Sequence, residues 1–424
     1  MFKLNLMNKQ EIITKNTSIM VIDEFSRGDN SGEIAIPELF NFGNVSQSKV
    51  LDAVKKAALE ETHWDSGFVF NTLCCQPHPL ALASFMEFAD RNLLKEQTIA
   101  GRRMEEDVIR EYSSWFGSSD QSGRNGYVSS GGTECNFVSI WAAKAKQPSR
   151  KKIILSQYAH YSYNRFALPL SIDIVSIPLK DDLEGDTDAF IKAIDKDTLL
   201  VVLTAGDPVL GRIDSFLDVL EAAKKFHCSV HVDAAYGGYI LPYIPAYREI
   251  LQTILADGNG VSTLSLDPHK YGLCPLGTGI LLFSNREDLD RISLSVPFPP
   301  IEARTFQGSR SAGPTASVWA MTQLLGKVGY EKLAQDVVAK RLIIDEGIKA
   351  IQDLELVIPP RMTAVGFRVR GNEKKTRDLY DALSRKGYRI TPQLRPSFFI
   401  RVIAHHHTRK SHIEQLCDAI RLLI

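Results

Sequence analysis

The sequence has neither a long apolar segment nor an excess of charge of one sign. Its 50 basic residues balance its 50 acidic residues, so no net charge favours a nucleic acid or an anionic membrane as a partner. No segment reaches the roughly 18 apolar residues that span a bilayer, and the N-terminal stretch lacks a basic start followed by a continuous apolar run. We therefore expect a cytoplasmic protein whose partners are small molecules, with no nucleic acid and no membrane among them.

Cysteine is also scarce, and its spacing does not indicate a metal site. Six scattered cysteines without paired spacing are typical of reduced thiols in a reducing compartment. The three consecutive histidines at 405 to 407 have no carboxylate or thiol companions at helical spacing, so the sequence predicts no metal ligands there.

What the sequence does contain is enough apolar material for two or more domains. Its length is 424 residues, and 44% of them are apolar. From about residue 126 short β-rich runs alternate with amphipathic helical patterns, and in one of these patterns Asp214 is placed to cap a helix. This alternation predicts an α/β domain with a mainly parallel sheet. The seven runs predicted to be strands are GYVSS, KIILS, DIVSI, TLLVVL, CSVHV, STLSL and GILLF.

A different pattern follows Gly313. A long helical stretch leads to the strand TAVGFRVR, a helix, the strand SFFIRVIA and a final helix, which predicts a smaller α+β domain. We expect an N-terminal arm over residues 1–60, a large domain over 61–313 and a small C-terminal domain over 314–424.

Four features of the large domain fall just after predicted strands, where ligands bind in open α/β sheets. The segment SSGGTECN at 129–136 opens a helix, whose N-terminus offers amide groups to a phosphate. The other three are His160, Asp233 and Lys270. Taken singly, each has an ordinary structural explanation: a hydrogen-bonding histidine, a helix-capping carboxylate and a surface lysine.

Taken together, these features are the parts that hold pyridoxal phosphate. The lysine forms a Schiff base with the aldehyde, the glycine turn holds the phosphate, and the carboxylate keeps the pyridine nitrogen protonated. A buried ammonium without a partner is costly. We therefore expect desolvation to lower the pKa of Lys270 and to make it a better nucleophile.

The chain resembles the group II pyridoxal phosphate-dependent decarboxylases from about residue 65 to its end. The resemblance is greatest to the short tyrosine/aspartate decarboxylase branch, and sphingosine-phosphate lyase is a near relative. It implies an aspartate aminotransferase-like (fold type I) architecture, with a mainly parallel seven-stranded sheet and a smaller C-terminal α+β domain. It also implies a homodimer with shared active sites. The motifs that carry it are QPHPLA, SSGGTECN, AHYSYNRFA, LTAGDPVLGRID, HVDAAYGG, SLDPHKYG and GSRSAG.

The resemblance implies a role for individual residues. Lys270 matches the Schiff-base lysine, Asp233 the partner of the pyridinium nitrogen, and His160 the ring that stacks on the cofactor. Arg401 matches a position near the substrate carboxylate, although a structural salt bridge is an equally good interpretation. The further residues expected to contact the cofactor are Gly132, Thr133, Thr204, Ala235 and His269, together with Gly308 and Ser309 of the neighbouring subunit.

One departure from the family pattern concerns the final proton transfer. Many members resemble one another in carrying a tyrosine for this step after the Schiff-base lysine, whereas residues 295–311 contain Phe298 and Phe306 but no tyrosine. A different acid, such as His160, a tyrosine from elsewhere or a bound water, can deliver the proton. Alternatively, the carbanion reacts with oxygen to give an aldehyde, or the bond that breaks joins two carbons of a phosphorylated amino alcohol.

We expect decarboxylation of an L-amino acid to the amine and CO₂, and a non-catalytic protein that binds pyridoxal phosphate is the alternative of another class. Asp207 and Pro208 stand where relatives often carry threonines, so we also expect altered substrate recognition. The aromatic residues that hint at an apolar substrate are Phe68, Phe70, Tyr161 and Phe298.

Overall fold

The computed structural model describes residues 47–94, 98–297, 300–394 and 397–424. Its large sheet has seven strands in the order β1-β7-β6-β5-β4-β2-β3, and all seven are the runs predicted from the sequence. The strands are β1 (Gly126–Ser129), β2 (Lys152–Ser156), β3 (Asp173–Ile177), β4 (Thr198–Thr204), β5 (Ser229–Asp233), β6 (Thr263–Leu266) and β7 (Gly279–Phe283).

The large sheet is mainly parallel, as predicted. Strand β2 is parallel to β3 and β4, β4 is parallel to β5, and β5 is parallel to β6. Only β7 runs against its neighbours β1 and β6. Every residue of β4 to β7 is buried, which explains why these runs are almost continuously apolar instead of alternating.

Helices connect and cover the strands. Helix α11 bends at Gly326, whose φ of 54° lies in the left-handed region that glycine adopts at little cost. The helices described are α1 (Gln47–Ala58), α2 (Pro79–Phe88), α3 (Ile99–Trp115), α4 (Gly132–Lys146), α5 (Ser162–Ala167), α6 (Thr187–Ala193), α7 (Phe216–Lys225), α8 (Pro245–Gln252), α9 (Pro268–Tyr271), α10 (Arg286–Asp290), α11 (Gly313–Lys349), α12 (Glu373–Arg385) and α13 (Lys410–Arg421).

The prediction that Asp214 caps a helix is wrong. Helix α7 has Ser215 at its N-cap position, and Asp214 is buried. Its carboxylate accepts hydrogen bonds from the hydroxyls of Ser156 and Tyr158 and from the backbone N–H of Thr204. Because Ser156 ends β2 and Thr204 ends β4, this carboxylate ties together the carboxyl ends of two neighbouring strands.

The C-terminal part contains the smaller α+β arrangement that the sequence predicts. Its antiparallel sheet has the order β10-β11-β13-β12, and α12 and α13 bury apolar residues at Leu379, Leu383 and Ile413. A separate hairpin precedes α11. The strands are β8 (Leu294–Pro297), β9 (Pro300–Ala303), β10 (Leu354–Leu356), β11 (Ala364–Val369), β12 (Thr391–Gln393) and β13 (Phe399–Ile403).

The chain divides into two compact units, one over Met1–Thr62 and the other over His63–Ile424. The second unit contains the seven-stranded sheet and the four-stranded sheet. The boundary near residue 313 between a large and a small domain stays a prediction. Among the residues that the structure describes, none of the helices combines the length and the apolar composition needed to span a bilayer.

Candidate active site

A cavity of about 220 Å³ lies at the carboxyl ends of the strands in the large sheet. Residues that end or follow β1, β2, β4, β5 and β6 contribute to its wall, as expected for an open α/β sheet. Eight of the eleven predicted site residues line it, namely Gly132, Thr133, His160, Thr204, Asp233, Ala235, His269 and Lys270. The three that do not line it are Gly308, Ser309 and Arg401.

Lys270 lies in the short helix α9, directly after β6, and its Nζ is 3.2 Å from Oδ2 of Asp267. Burial by itself lowers the pKa of the Lys270 ammonium, but the negative charges of Asp267 and Asp233 outweigh burial, and the net pKa is raised. The prediction of a lowered pKa is therefore wrong. The prediction rested on desolvation alone. The carboxylate of Asp267, three residues before Lys270, is close enough on one helical turn to oppose the effect of desolvation on the pKa.

Asp233 ends β5, and its carboxylate is held on both oxygens. Oδ2 accepts hydrogen bonds from Nδ2 of Asn136 at 3.2 Å and from the hydroxyl of Tyr163 at 3.3 Å, and Oδ1 accepts from the backbone N–H of Ala235 at 3.2 Å. Oδ1 of Asn136 contacts Nε2 of His231 at 3.1 Å. These donors fix the direction of the Asp233 carboxylate.

His231 supports this arrangement from inside the sheet. Burial lowers its pKa to about 4, so the ring is neutral near pH 7, and its Nδ1 lies 2.8 Å from Oγ1 of Thr263. Sequence reasoning assigned no role to His231, Asn136 or Tyr163. The signal was available, because all three stand inside the motifs HVDAAYGG, SSGGTECN and AHYSYNRFA.

The glycine turn before α4 keeps space open at the helix N-terminus. Gly131 has a φ of 135° at the N-cap position, a conformation that glycine adopts readily. A Cβ atom on Gly132 would lie 3.1 Å from Cβ of Ala235 and 3.1 Å from Oδ2 of Asp267. Nearby, Nδ1 of His269 donates to the carbonyl of Thr278 at 2.6 Å, which orients its ring beside a terminus suited to binding an anion.

His160 follows β2 and contributes an aromatic wall. Burial lowers the pKa of this histidine, and the nearby Asp233 offsets part of that effect. Its Nδ1 is 2.9 Å from Oγ of Ser162, and its ring centroid is 4.3 Å from that of Tyr161. The ring is therefore a neutral aromatic surface at one side of the cavity.

The residues present fit pyridoxal phosphate. In the described part of the chain, Thr204 Oγ1 and Asp267 Oδ1 are buried without a hydrogen-bond partner, and both residues line the cavity. Such groups are rare in folded proteins unless a ligand or water satisfies them. A partly buried lysine, an oriented carboxylate, an aromatic ring and an open helix N-terminus around one cavity supply the contacts that this cofactor requires.

Arg401 lies behind the cavity. Its guanidinium donates to the carbonyl oxygens of Pro208 and Asn71 and to Oγ1 of Thr391. No carboxylate among the described residues forms a salt bridge with it, so the structural role seen is support of backbone, including that of Pro208, which lines the cavity. Its predicted contact with a substrate carboxylate stays a prediction.

Gly308 and Ser309 are exposed and lie outside the cavity of their own chain. The Oγ of Ser309 accepts a hydrogen bond from Nδ2 of Asn92 at 3.2 Å, and a Cβ atom on Gly308 would meet nothing within 4 Å. Their predicted contact with a neighbouring subunit's phosphate concerns an assembly of two chains and stays a prediction.

Only some of the residues that the sequence linked to substrate recognition lie at the cavity. Pro208 and Tyr161 line the cavity, whereas Asp207 is fully buried and pairs with Arg212, with Oδ2 and Nε 2.8 Å apart. Asp207 therefore shapes the loop that presents Pro208. Neither Phe68 nor Phe70 lines the cavity, and Phe298 lies outside the described residues.

Comparison with known proteins agrees with this site. Residues 102–370 match the pyridoxal-dependent decarboxylase conserved domain. The chain is 30% identical over 365 residues to the probable L-tyrosine/L-aspartate decarboxylase of Methanothermobacter thermautotrophicus, covering 85% of this chain and 99% of the relative. It is 27% identical over 388 residues to the L-aspartate decarboxylase of Thermococcus kodakarensis, covering 90% and 98%.

A solved structure gives the same result for the fold. The sphingosine-1-phosphate lyase of Burkholderia pseudomallei K96243 superimposes with a TM-score of 0.80 at 21% identity, covering 92% of this chain and 94% of the lyase. Fold and site thus define a pyridoxal phosphate-dependent enzyme with the fold type I architecture. The chain belongs to the pyridoxal-dependent decarboxylase family, and its activity is the decarboxylation of an amino acid, as the sequence predicts.

Replacing Asp267 with asparagine should lower the pKa of Lys270, because the variant keeps the side-chain shape but removes a charge that opposes the effect of burial. The measurement is competitive labelling of amines across pH in the cofactor-free protein, with mass spectrometry of the peptide that contains Lys270. Exposed Lys374 is the internal control and should keep its profile. Identical Lys270 profiles in the two proteins would contradict the ion pair described above.

Proposed function

We propose that this protein decarboxylates an aromatic L-amino acid, such as tyrosine, to the amine and CO₂ in the cavity that contains Lys270. The observation that carries the proposal is the convergence of Lys270, Asp233, His160 and the glycine turn of α4 on one cavity, although they come from four separate segments. Pyridoxal phosphate, when bound, supplies the electron-withdrawing ring that accepts the electron pair left by CO₂.

We infer that Lys270 is the amine that holds the cofactor covalently and that Asp267 orients its Nζ. Asp233 would keep a proton on the pyridine nitrogen of the cofactor, because Asn136 and Tyr163 fix the direction of its carboxylate. Thr204 lines the same cavity, and its Oγ1, which has no partner within the described residues, would donate a hydrogen bond to the cofactor.

The glycine turn of α4 would hold the phosphate of the cofactor. The backbone amides of Gly132 and Thr133 are at the N-terminus of α4, where the helix dipole favours an anion, and His269 lies beside them. The His160 ring would stack on the cofactor ring, and the small side chain of Ala235 would leave space for it in the same cavity.

Tyr161 is the proposed donor of the proton that completes the reaction. It lines the cavity beside His160, and 61% of its surface is exposed, so its hydroxyl is accessible to a bound substrate. Tyr236 also lines the cavity, but it is buried and its hydroxyl is 2.5 Å from Oγ1 of Thr363. We therefore assign delivery of the proton to the Tyr161 hydroxyl.

The cavity wall favours an aromatic substrate over an acidic one. Among the described residues of the wall, Lys270 is the only lysine or arginine, and its charge is already opposed by Asp267 and Asp233. Tyr161 and Pro208 offer aromatic and apolar surface instead. The name of the Methanothermobacter relative includes both tyrosine and aspartate, and the wall supports the first of these two.

We further propose a cytoplasmic homodimer in which Gly308 and Ser309 approach the neighbouring subunit's phosphate. Their exposure outside their own cavity supports the homodimer. All six cysteines are free thiols, which suits a reducing compartment such as the cytoplasm.

Light scattering should give twice the 47.3 kDa of one chain. A mass of one chain at micromolar concentration would contradict the dimer.

The purified protein with pyridoxal phosphate should release CO₂ from L-tyrosine faster than from L-aspartate, because the described residues of the wall offer no lysine or arginine besides Lys270 for a second carboxylate. Mass spectrometry should identify the amine under both air and nitrogen. Lys270→Ala should lower turnover by at least about three orders of magnitude.

The possible outcomes separate the parts of the proposal. A preference for aspartate would contradict the aromatic substrate but leave decarboxylation intact. An aldehyde that forms only under air would contradict the amine product. Turnover of a phosphorylated amino alcohol without CO₂ release from any amino acid would contradict the proposed reaction itself.

Tyr161→Phe should lower kcat by about 10²- to 10⁴-fold, the usual contribution of a positioned general acid, while KM changes little because the ring remains. Steady-state kinetics with the preferred substrate is the measurement. The matched control is Tyr380→Phe, which removes a hydroxyl from helix α12 outside the cavity. Equal kcat values for Tyr161→Phe and the wild type would assign the proton to another donor.

A further inference from the structure

We propose that His405, His406 and His407 form a binding site for one divalent transition-metal ion of the zinc type. The three residues, here called the histidine cluster, occupy the turn between β13 and α13. One ligand nitrogen from each residue lies within 4.8 Å of the other two. The cluster is separate from the cavity that contains Lys270, and none of its members lines that cavity.

The nitrogens of the histidine cluster lack the partners that buried polar groups normally have. Within the described part of the chain, Nδ1 of all three residues and Nε2 of His407 are buried without a hydrogen bond. His405 itself is completely buried. An unpartnered buried polar group costs free energy, and a bound metal ion would satisfy one nitrogen on each ring.

The hydrogen bond of His405 leaves the correct nitrogen free for a metal. Its Nε2 contacts the carbonyl oxygen of Thr72, and this contact requires the proton to be on Nε2. The lone pair is then on Nδ1, the atom that has no partner. A backbone carbonyl that orients the second ring nitrogen is the usual arrangement for a histidine that ligates a metal.

The electrostatic surroundings permit a cation. The neutral imidazole is the form that binds metals, and the unpartnered Nδ1 atoms of the three rings are available as ligands. Lys340 lies close, with its Nζ donating to the carbonyl of His406 at 2.8 Å. Asp336, 2.6 Å from the same Nζ, compensates the charge of this lysine.

Aromatic packing alone does not account for the histidine cluster. The His405 ring stacks on Tyr271 with centroids 5.2 Å apart and on His407 with centroids 4.9 Å apart. Stacking explains the orientation of the rings, but apolar side chains would stack without leaving four nitrogens unpartnered. Tyr271 directly follows Lys270 in the chain and stacks on His405. A metal ion bound by His405 would therefore also restrict the movement of the residue next to the proposed catalytic lysine.

Three imidazoles select a borderline metal such as zinc, and they leave one coordination position for water. With Zn–N bonds of 2.0–2.1 Å, tetrahedral ligand atoms lie about 3.4 Å apart. The present separations of up to 4.8 Å and the stacking of the His405 and His407 rings at an interplanar angle of 10° require the His407 ring to rotate out of the stack until its plane contains the ion. His406 and His407 are only partly buried, so they have room to make this adjustment.

The test uses the untagged holoenzyme, equilibrated with zinc, dialysed and analysed by elemental mass spectrometry. The wild type should retain about one zinc ion per chain. His407→Gln and His406→Gln should each weaken zinc affinity more than about tenfold. The matched control is His227→Asn, which removes an exposed histidine at a φ of 52° that asparagine tolerates. This control should bind zinc like the wild type.

Cobalt substitution provides a second readout, because Co²⁺ bound by three imidazoles absorbs visible light through d–d transitions, and this band should disappear in His407→Gln. No retained zinc in the wild type would overturn the proposal. Equal zinc binding by the wild type and both glutamine variants would also overturn it, because the ion would then be bound elsewhere, for instance at the cofactor. Neither readout depends on decarboxylation, so a failure here is distinct from a failure of the proposed function.

Discussion

The active site depends on the burial of one ammonium group beside carboxylates at the carboxyl edge of a parallel sheet. Removing a charge from water costs several kcal/mol even after relaxation, and at Lys270 the carboxylate of Asp267, 3.2 Å away, and the negative charge of Asp233 oppose this cost. The same pair of carboxylates makes the site strongly polar inside an apolar domain. A cofactor with an aldehyde, a basic ring nitrogen and a phosphate is complementary to such a site.

The sheet supplies the rigidity that this charge arrangement needs. Its buried parallel strands end at one edge, and hydrogen bonds between side chains join those ends. Asp214 connects the ends of β2 and β4, while Asn136 connects α4 to Asp233 and His231 on β5. Groups that must meet one ligand are therefore positioned by the framework itself and not by a mobile loop.

Much of this organisation could be predicted from the sequence, because it follows from local patterns. The seven strands were recognisable as short apolar runs between turn residues, and the glycine turn, His160, Asp233 and Lys270 each follow such a run. Their convergence then followed from the rule that ligands bind beyond the carboxyl ends of strands. The family resemblance agreed with this and added Thr204, Ala235 and His269.

The errors and omissions arose where partners are distant in sequence or where two effects compete. Asp214 has the residue type and position of a helix cap, but its carboxylate accepts hydrogen bonds from Ser156 on β2 and from Thr204 on β4 instead. The partners of Arg401 include Asn71 and Pro208, whose proximity no local pattern reveals. For Lys270, desolvation and charge act in opposite directions on the pKa, and only the distance to Asp267 decides the sign.

The most direct test of the account is to locate the attachment of the cofactor. The holoenzyme is reduced with borohydride, which makes the bond between the cofactor and its lysine permanent, and is then digested for peptide mass spectrometry. The account predicts the added mass of the reduced cofactor on Lys270 and on no other lysine. A modification at a different lysine, or an unmodified Lys270 in protein that still releases CO₂, would contradict it.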